Sequence, residues 1–199
     1  KHIEAQAFES CSSLEAIFLP PSIEKIEAAA FADCTSIRIL RLHSNIEMAE
    51  TTLIDCDTLF ETTQIEGYIF ELTIGQLVNA DGVLQSVIDF YNNLPPLHQT
   101  CLGTDIHAQA IDDCVDAHGP DTLSRIDHDG MTPLHILAMN PHAEIGVIGK
   151  CFRLNLNVAF MKDNRGNTPL DYLTVHHDIE HHTFLMASLC MHREDANSK

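Results

Sequence analysis

Hydrophobic and polar positions along the first part of the chain recur in one fixed order. Ile3, Ala7, Phe8, Cys11, Leu14, Ile17, Leu19 and Ile23 are matched at a constant offset of 23 by Ile26, Ala30, Phe31, Cys34, Ile37, Leu40, Leu42 and Ile46. A third copy is slightly shorter, with Leu53, Cys56 and Leu59 matching Phe31, Cys34 and Ile37 at an offset of 22. A unit this short cannot bury its own apolar residues, so successive coils must stack them into one continuous core. Leu14–Leu19 and Ile37–Leu42 combine β-branched and apolar residues with partial alternation, which predicts one short strand per coil. Pro20-Pro21 ends the first strand, because proline has no N–H to give to a ladder. The three cysteines then form a column inside the stack.

A second period begins after residue 93. Asp163, Gly166, Thr168, Pro169 and Leu170 repeat Asp127, Gly130, Thr132, Pro133 and Leu134 at an offset of 36, and Pro96-Leu97-His98 precedes Pro133-Leu134-His135 by 37. Gly130 and Gly166 supply the positive φ of a tight turn. Thr132 and Thr168 suit helix caps, and Pro133 and Pro169 suit a first helical turn. In the first copy, Ile111, Cys114 and Val115 fall at helical spacing within 107–115. Each unit therefore reads as turn, short helix, second helix, over about 94–128, 129–164 and 165–195. The intervening residues 61–93 form a transitional segment closing the solenoid, with short strands expected at 68–72 and 82–84 and a helix at 87–91.

Composition narrows the function. The 199 residues hold 11 Lys+Arg against 29 Asp+Glu, a formal charge of −18. Such an acidic surface repels phosphate backbones and anionic headgroups, which argues against nucleic acid and favours basic protein partners. No uncharged apolar run approaches the roughly 18 residues of a membrane helix, so no membrane insertion is expected. Seven widely spaced cysteines without a C-x-x-C pair suggest buried free thiols in a reducing compartment, and hence an intracellular, cytoplasmic protein. The chain starts at Lys1 with no basic-then-apolar leader, and is read as a fragment or processed chain lacking some N-terminal repeats.

The pattern A-F-x-x-C-x-S-L/I-x-x-I/L-x-L, close over 3–46 and weaker to 60, resembles the BspA-type leucine-rich repeat. The resemblance implies a curved β-solenoid over 1–60 that acts by adhesion or protein binding, with no catalytic residues to carry over. The D-x-x-G-x-T-P-L-H pattern at 127–135, and its copy at 163–171 with Asp171 in place of the final His, resembles the ankyrin repeat. That implies a helical stack over 94–199, in which His98 and His135 bond to neighbouring backbone and Thr and lock successive units. The fold class expected is a repeat solenoid of mixed α and β structure.

Thirteen histidines invite a metal hypothesis. The sharpest is His177-Asp-Ile-Glu180-His181, an H-x-x-E-H spacing that in a continuous helix puts two imidazoles around zinc with the Glu as general base. His176 and His182 thicken the cluster. The register of the second repeat argues against a peptidase here, because it sets His177 over Pro141, between two helices, and His181 over Ile145, inside the second one. No phosphate-binding Gly-rich loop and no G-x-S-x-G occurs. The expectation is no catalytic residue, no cofactor and no structural metal.

The leading reading is a non-enzymatic protein-interaction module presenting two kinds of stacked repeat. The alternatives are a zinc-dependent peptidase using 177–181 and a cell-surface adhesion protein. In an ankyrin-like unit the turn and the outward side of the first helix form the concave face, so the candidate protein-binding residues are His128, Met131, Ile136 and Met139 beside Arg165, Asn167, Tyr172 and Val175.

Overall fold

Parallel pairing of successive coils builds the first part of the chain in the computed structural model, which describes residues 1–42, 46–49, 51–56, 93–127 and 129–177. The first two coils each hold two strands rather than one. β1 (His2–Ile3), β3 (Lys25–Ile26) and β5 (Glu47–Met48) form a three-stranded parallel sheet in that order. β2 (Ala16–Phe18) and β4 (Ile39–Arg41) form a second parallel pair. The register reproduces the repeat: His2 pairs with Lys25 and Ala16 with Ile39, both at the offset of 23, whereas Lys25 pairs with Glu47 at the offset of 22. Strands as short as β1, β3 and β5 cannot show any alternation, which is why the sequence pattern reveals β2 and β4 but not the β1-β3-β5 sheet.

Between the strands, backbone amides step from coil to coil. Gln6, Phe8 and Ser10 donate to the carbonyls of Ala28, Ala30 and Ala32, and Phe31 and Asp33 donate to those of Thr52 and Ile54. The turns place Gln6, Ser10, Ala29, Asp33 and Asp55 at φ between 55° and 59°, again at repeat-equivalent positions. Ile26, Phe31, Cys34, Ile37 and Leu40 fill the core, and Phe8 stacks on Phe31 with ring centroids 5.3 Å apart. The cysteine column is present, each thiol bonding one coil back: Cys34 Sγ donates to Phe8 O and Cys56 Sγ to Phe31 O, both at 3.0 Å.

Chain contacts separate Lys1–Asn93 from Leu94–Lys199, and the second unit is helical. Among its described residues the helices are α1 (Pro96–Cys101), α2 (Ala108–His118), α3 (Pro133–Met139), α4 (Ile145–Leu154) and α5 (Pro169–His176). Proline starts α1, α3 and α5, where its missing N–H costs nothing. α3 packs between α1 and α5, while α2 lies against α4 to form a second row. Two 3₁₀ turns, Pro120–Ser124 and Leu156–Phe160, follow α2 and α4. The strands and helix expected within 61–93 lie outside the described residues.

Candidate protein-binding surface

The turn leading into each first helix is built by one aspartate. Asp127 Oδ1 accepts from the amides of Asp129 at 3.0 Å and Met131 at 2.9 Å. Asp163 Oδ1 does the same for Arg165 at 3.0 Å and Asn167 at 2.9 Å. Gly130 and Gly166 close these turns at φ 72° and 84°. Gly130 is doubly constrained, since a Cβ there would meet Asn164 Oδ1 at 2.6 Å.

Beyond the turn, a histidine ties each unit to the next. The amide of Thr132 donates to His135 Nδ1 at 3.0 Å. That makes Nδ1 an acceptor and leaves the proton on Nε2, which donates to Asn167 O in the following turn at 3.2 Å. His98 Nε2 likewise donates to Met131 O at 2.9 Å. Asn140, at the end of α3, reaches the opposite way: its Nδ2 donates to Cys101 O at 2.9 Å and Gly103 O at 2.8 Å. At Asp171 the pattern changes. Its Oδ2 accepts from the Thr168 amide at 2.7 Å and hydroxyl at 2.8 Å, so the helix is still capped. A carboxylate, however, has no N–H to send to a further turn. The Thr168 bonds, backbone first, hold the Asp171 carboxyl below its ordinary range.

Of the eight residues assigned from sequence to a binding face, four are corrected to core. Met131, Ile136, Met139 and Tyr172 are 2%, 2%, 1% and 4% exposed. For Ile136 and Met139 the physical reason is that every residue of α3 from Pro133 to Met139 is buried. A helix apolar on all sides belongs in an interior, and Pro-Leu-His-Ile-Leu-Ala-Met already carries that signal. Tyr172 fills the position equivalent to Ile136 and turns its hydroxyl inward to Asp163. Asn167 is half-buried and its backbone is spent on Asp163 and His135. Arg165 and Val175 stand at the surface, Val175 at 76% exposure. His128 lies outside the described residues. The sequence reading passed over the exposed apolar residues Ile126, Leu154 and Phe160. Nothing in the local pattern separates Phe160 from buried Val158 in the same turn.

The H-x-x-E-H segment is described only at His177, which follows the last residue of α5 with extended backbone, φ −124° and ψ 160°. The remaining four residues lie outside the described ones. Among the described residues no three His, Cys, Asp or Glu side chains gather as a metal site. No helix there is long and apolar enough to cross a membrane. Buried thiols are the notable titratable groups: burial pushes Cys56 and Cys151 up to about 12 and Cys101 well above its ordinary value. Thiols held protonated in this way are poor nucleophiles.

With the coil register established, the comparison with known families has a structural counterpart. Residues 1–73 match the BspA type Leucine rich repeat region, in six copies. The match extends beyond residue 60, where the cysteine repeat alone ends. Repeats of this class generally mediate protein–protein interaction or adhesion. No curated protein and no solved structure matches the chain.

Proposed function

We propose that this chain is a non-enzymatic interaction module, in which BspA-type leucine-rich coils are joined to a stack of three ankyrin-like repeats that bind another protein. The observation that carries the second half is the relay His98–Met131 and His135–Asn167, which joins turn to turn at the spacing the repeat demands. Repeats of this kind offer long side surfaces and few convergent polar groups, which favours macromolecular contact over small-molecule chemistry. A formal charge of −18 favours a basic partner. With the four core residues and half-buried Asn167 set aside, Arg165 and Val175 remain as the proposed contacts, and His128 joins them by its place in the repeat.

Affinity capture from the native cell, with quantitative mass spectrometry, tests this reading. A protein retained by the parent chain and lost with Arg165→Glu and Val175→Glu supports it; equal recovery with both chains overturns the assigned face. A second reading, adhesion at a cell surface, is favoured by the family match itself. Free cysteines at 11, 34, 56, 101, 114 and 151 favour an intracellular site instead. Protease shaving of intact cells carrying a tagged chain decides between them, because only a surface protein loses the tag.

A further inference from the structure

Ile126 is 56% and Phe160 60% exposed, and both lie where a 3₁₀ turn hands the chain on to the aspartate-built turn of the next unit. The two segments are repeat-equivalent, since Ser124, Arg125 and Ile126 precede Phe160, Met161 and Lys162 by 36. Their backbones match as well: Arg125 has φ −62° and ψ 143°, Met161 φ −69° and ψ 138°, so both run extended. The turns they lead into are stacked, with the Asn164 amide donating to Asp129 O at 2.9 Å and His135 Nε2 to Asn167 O. The two extended segments therefore lie side by side. Leu123, Val158 and Ala159 take the buried positions of the 3₁₀ turns, and Arg125, Ile126, Phe160 and Lys162 stand exposed.

Charge is divided along the same unit. Residues 94–123 carry Asp105, Asp112, Asp113, Asp116 and Asp121 and no Lys or Arg, whereas 124–177 hold as many Lys and Arg as Asp and Glu. Carboxylates of the second stretch are engaged locally: Asp127 and Asp163 hold turn amides, and Asp171 holds Thr168. Arg125 and Lys162 enter no ion pair among the described residues, although Lys162 helps to hold the Asp171 carboxyl low. We propose that this strip binds a short extended peptide in which carboxylates flank an aromatic or aliphatic side chain. The apolar side chain packs on Ile126 and Phe160, and the carboxylates meet Arg125 and Lys162, the arginine offering a two-pronged hydrogen bond. Two exposed apolar residues fall short of the roughly 800 Å² per partner of a stable protein–protein face, so the occupant is a peptide segment rather than a folded surface. A second copy of this chain is the poorer occupant, because two chains at −18 repel each other. The preference for carboxylates is local and opposite to the basic partner that the total charge favours, and it uses neither Val175 nor the leucine-rich coils.

Fluorescence anisotropy of the full chain with three labelled peptides of one length provides the test. The probes alternate Leu and Phe with Glu, with Ser or with Lys. The Glu peptide is expected to bind about tenfold or more tighter than the Ser peptide, and to lose about tenfold or more with Phe160→Ser and with Arg125→Gln plus Lys162→Gln. The Lys peptide, drawn by total charge, is not weakened by loss of the two cations. Val175→Glu leaves the Glu peptide bound, so failure here and failure of the Arg165 and Val175 face are told apart. Circular dichroism melting at the parent temperature shows that the variants remain folded. The proposal is overturned if the Glu peptide binds no tighter than the Ser peptide, or if its binding survives either change in the strip. It is also overturned if sedimentation of the chain alone reveals a dimer that Phe160→Ser abolishes, since a second copy then occupies the strip.

Discussion

Tyr172 donates its phenolic hydrogen to Asp163 at 2.5 Å, and its oxygen accepts from the Asn167 side-chain amide at 3.0 Å. One aspartate therefore holds its turn through Oδ1 and is itself held through Oδ2 by the helix that the turn precedes. At the equivalent place in the preceding unit stands Ile136, which has no hydroxyl to send to its turn, so this bond is particular to the third unit.

Removing that hydroxyl tests the assignment of Tyr172 to the core. Tyr172→Phe keeps the ring and leaves a buried carboxylate oxygen short of a donor, a loss of about 1–3 kcal/mol. Tyr172→Glu is expected to unfold the helical unit, while Val175→Glu stays within about 0.5 kcal/mol of the parent. Urea denaturation followed by circular dichroism measures all three, and equal stability for Tyr172→Phe and the parent refutes the role given to the hydroxyl.

Two leucines that look interchangeable in sequence are predicted to differ. Leu134 is 1% exposed in a helix packed on both flanks, whereas Leu170 is only half-buried. Leu134→Ala is expected to cost about 2–5 kcal/mol, with Leu170→Ala at or below the lower end of that range. His135→Ala falls between, at about 1–3 kcal/mol, since it removes a cap and an inter-unit bond together. A larger loss at Leu170 than at Leu134 rejects this ordering.

Legibility followed the length of each signal. The period of the coils set their register to the residue, because Ile, Phe, Cys and Leu recur at many positions at once. The Thr-Pro-Leu and Pro-Leu-His words located three helix starts for the same reason. What escaped was information held in surroundings rather than in letters. Helical phase alone sets Ile136 and Tyr172 outward, but α3 has α1 and α5 packed on it, and the Tyr172 hydroxyl is drawn inward by Asp163. Asp163 and Asp127 are spelled alike, yet the unit of Asp163 has a tyrosine hydroxyl to hold it where the unit of Asp127 has Ile136. Phe160 and Val158 differ in exposure although both lie in one short turn.

In the solenoid, Arg38 is buried at 2% exposure with its guanidinium on Glu15. Truncating it takes the guanidinium from a half-buried carboxylate and empties a buried site, so Arg38→Ala is expected to cost about 3–5 kcal/mol. Glu15→Gln keeps an acceptor at the edge and should cost less. Thermal unfolding of both variants checks the order, and near-neutral behaviour of Arg38→Ala rules the pair out as a structural element.

Alkaline pH provides a test of the buried thiols. Their folded pKa lies above the unfolded value, so their stabilisation is complete below about pH 8.5 and is lost as pH rises toward the folded value. For Cys56 and Cys151 that value is about 12. Each such thiol contributes a slope of about 1.4 kcal/mol per pH unit across that window. Stability measured between pH 8 and 11 should therefore fall less steeply after Cys56→Ala and Cys151→Ala than in the parent, once each variant is normalised at pH 7. Parallel curves refute the shift.

The left-handed turns of the coils carry a consequence for anyone building new arrays from this unit. Ala29 and Asp33 sit at φ 55° and 57°, where a Cβ costs about 1–2 kcal/mol and a β-branched side chain is excluded. A combinatorial library on this coil must therefore withhold Val, Ile and Thr at two codons per repeat. Glycine at those codons relaxes the backbone, offset by the added freedom of the unfolded chain. Such a library retains its folded members by what is left out of two turn positions as much as by what is fixed in the core.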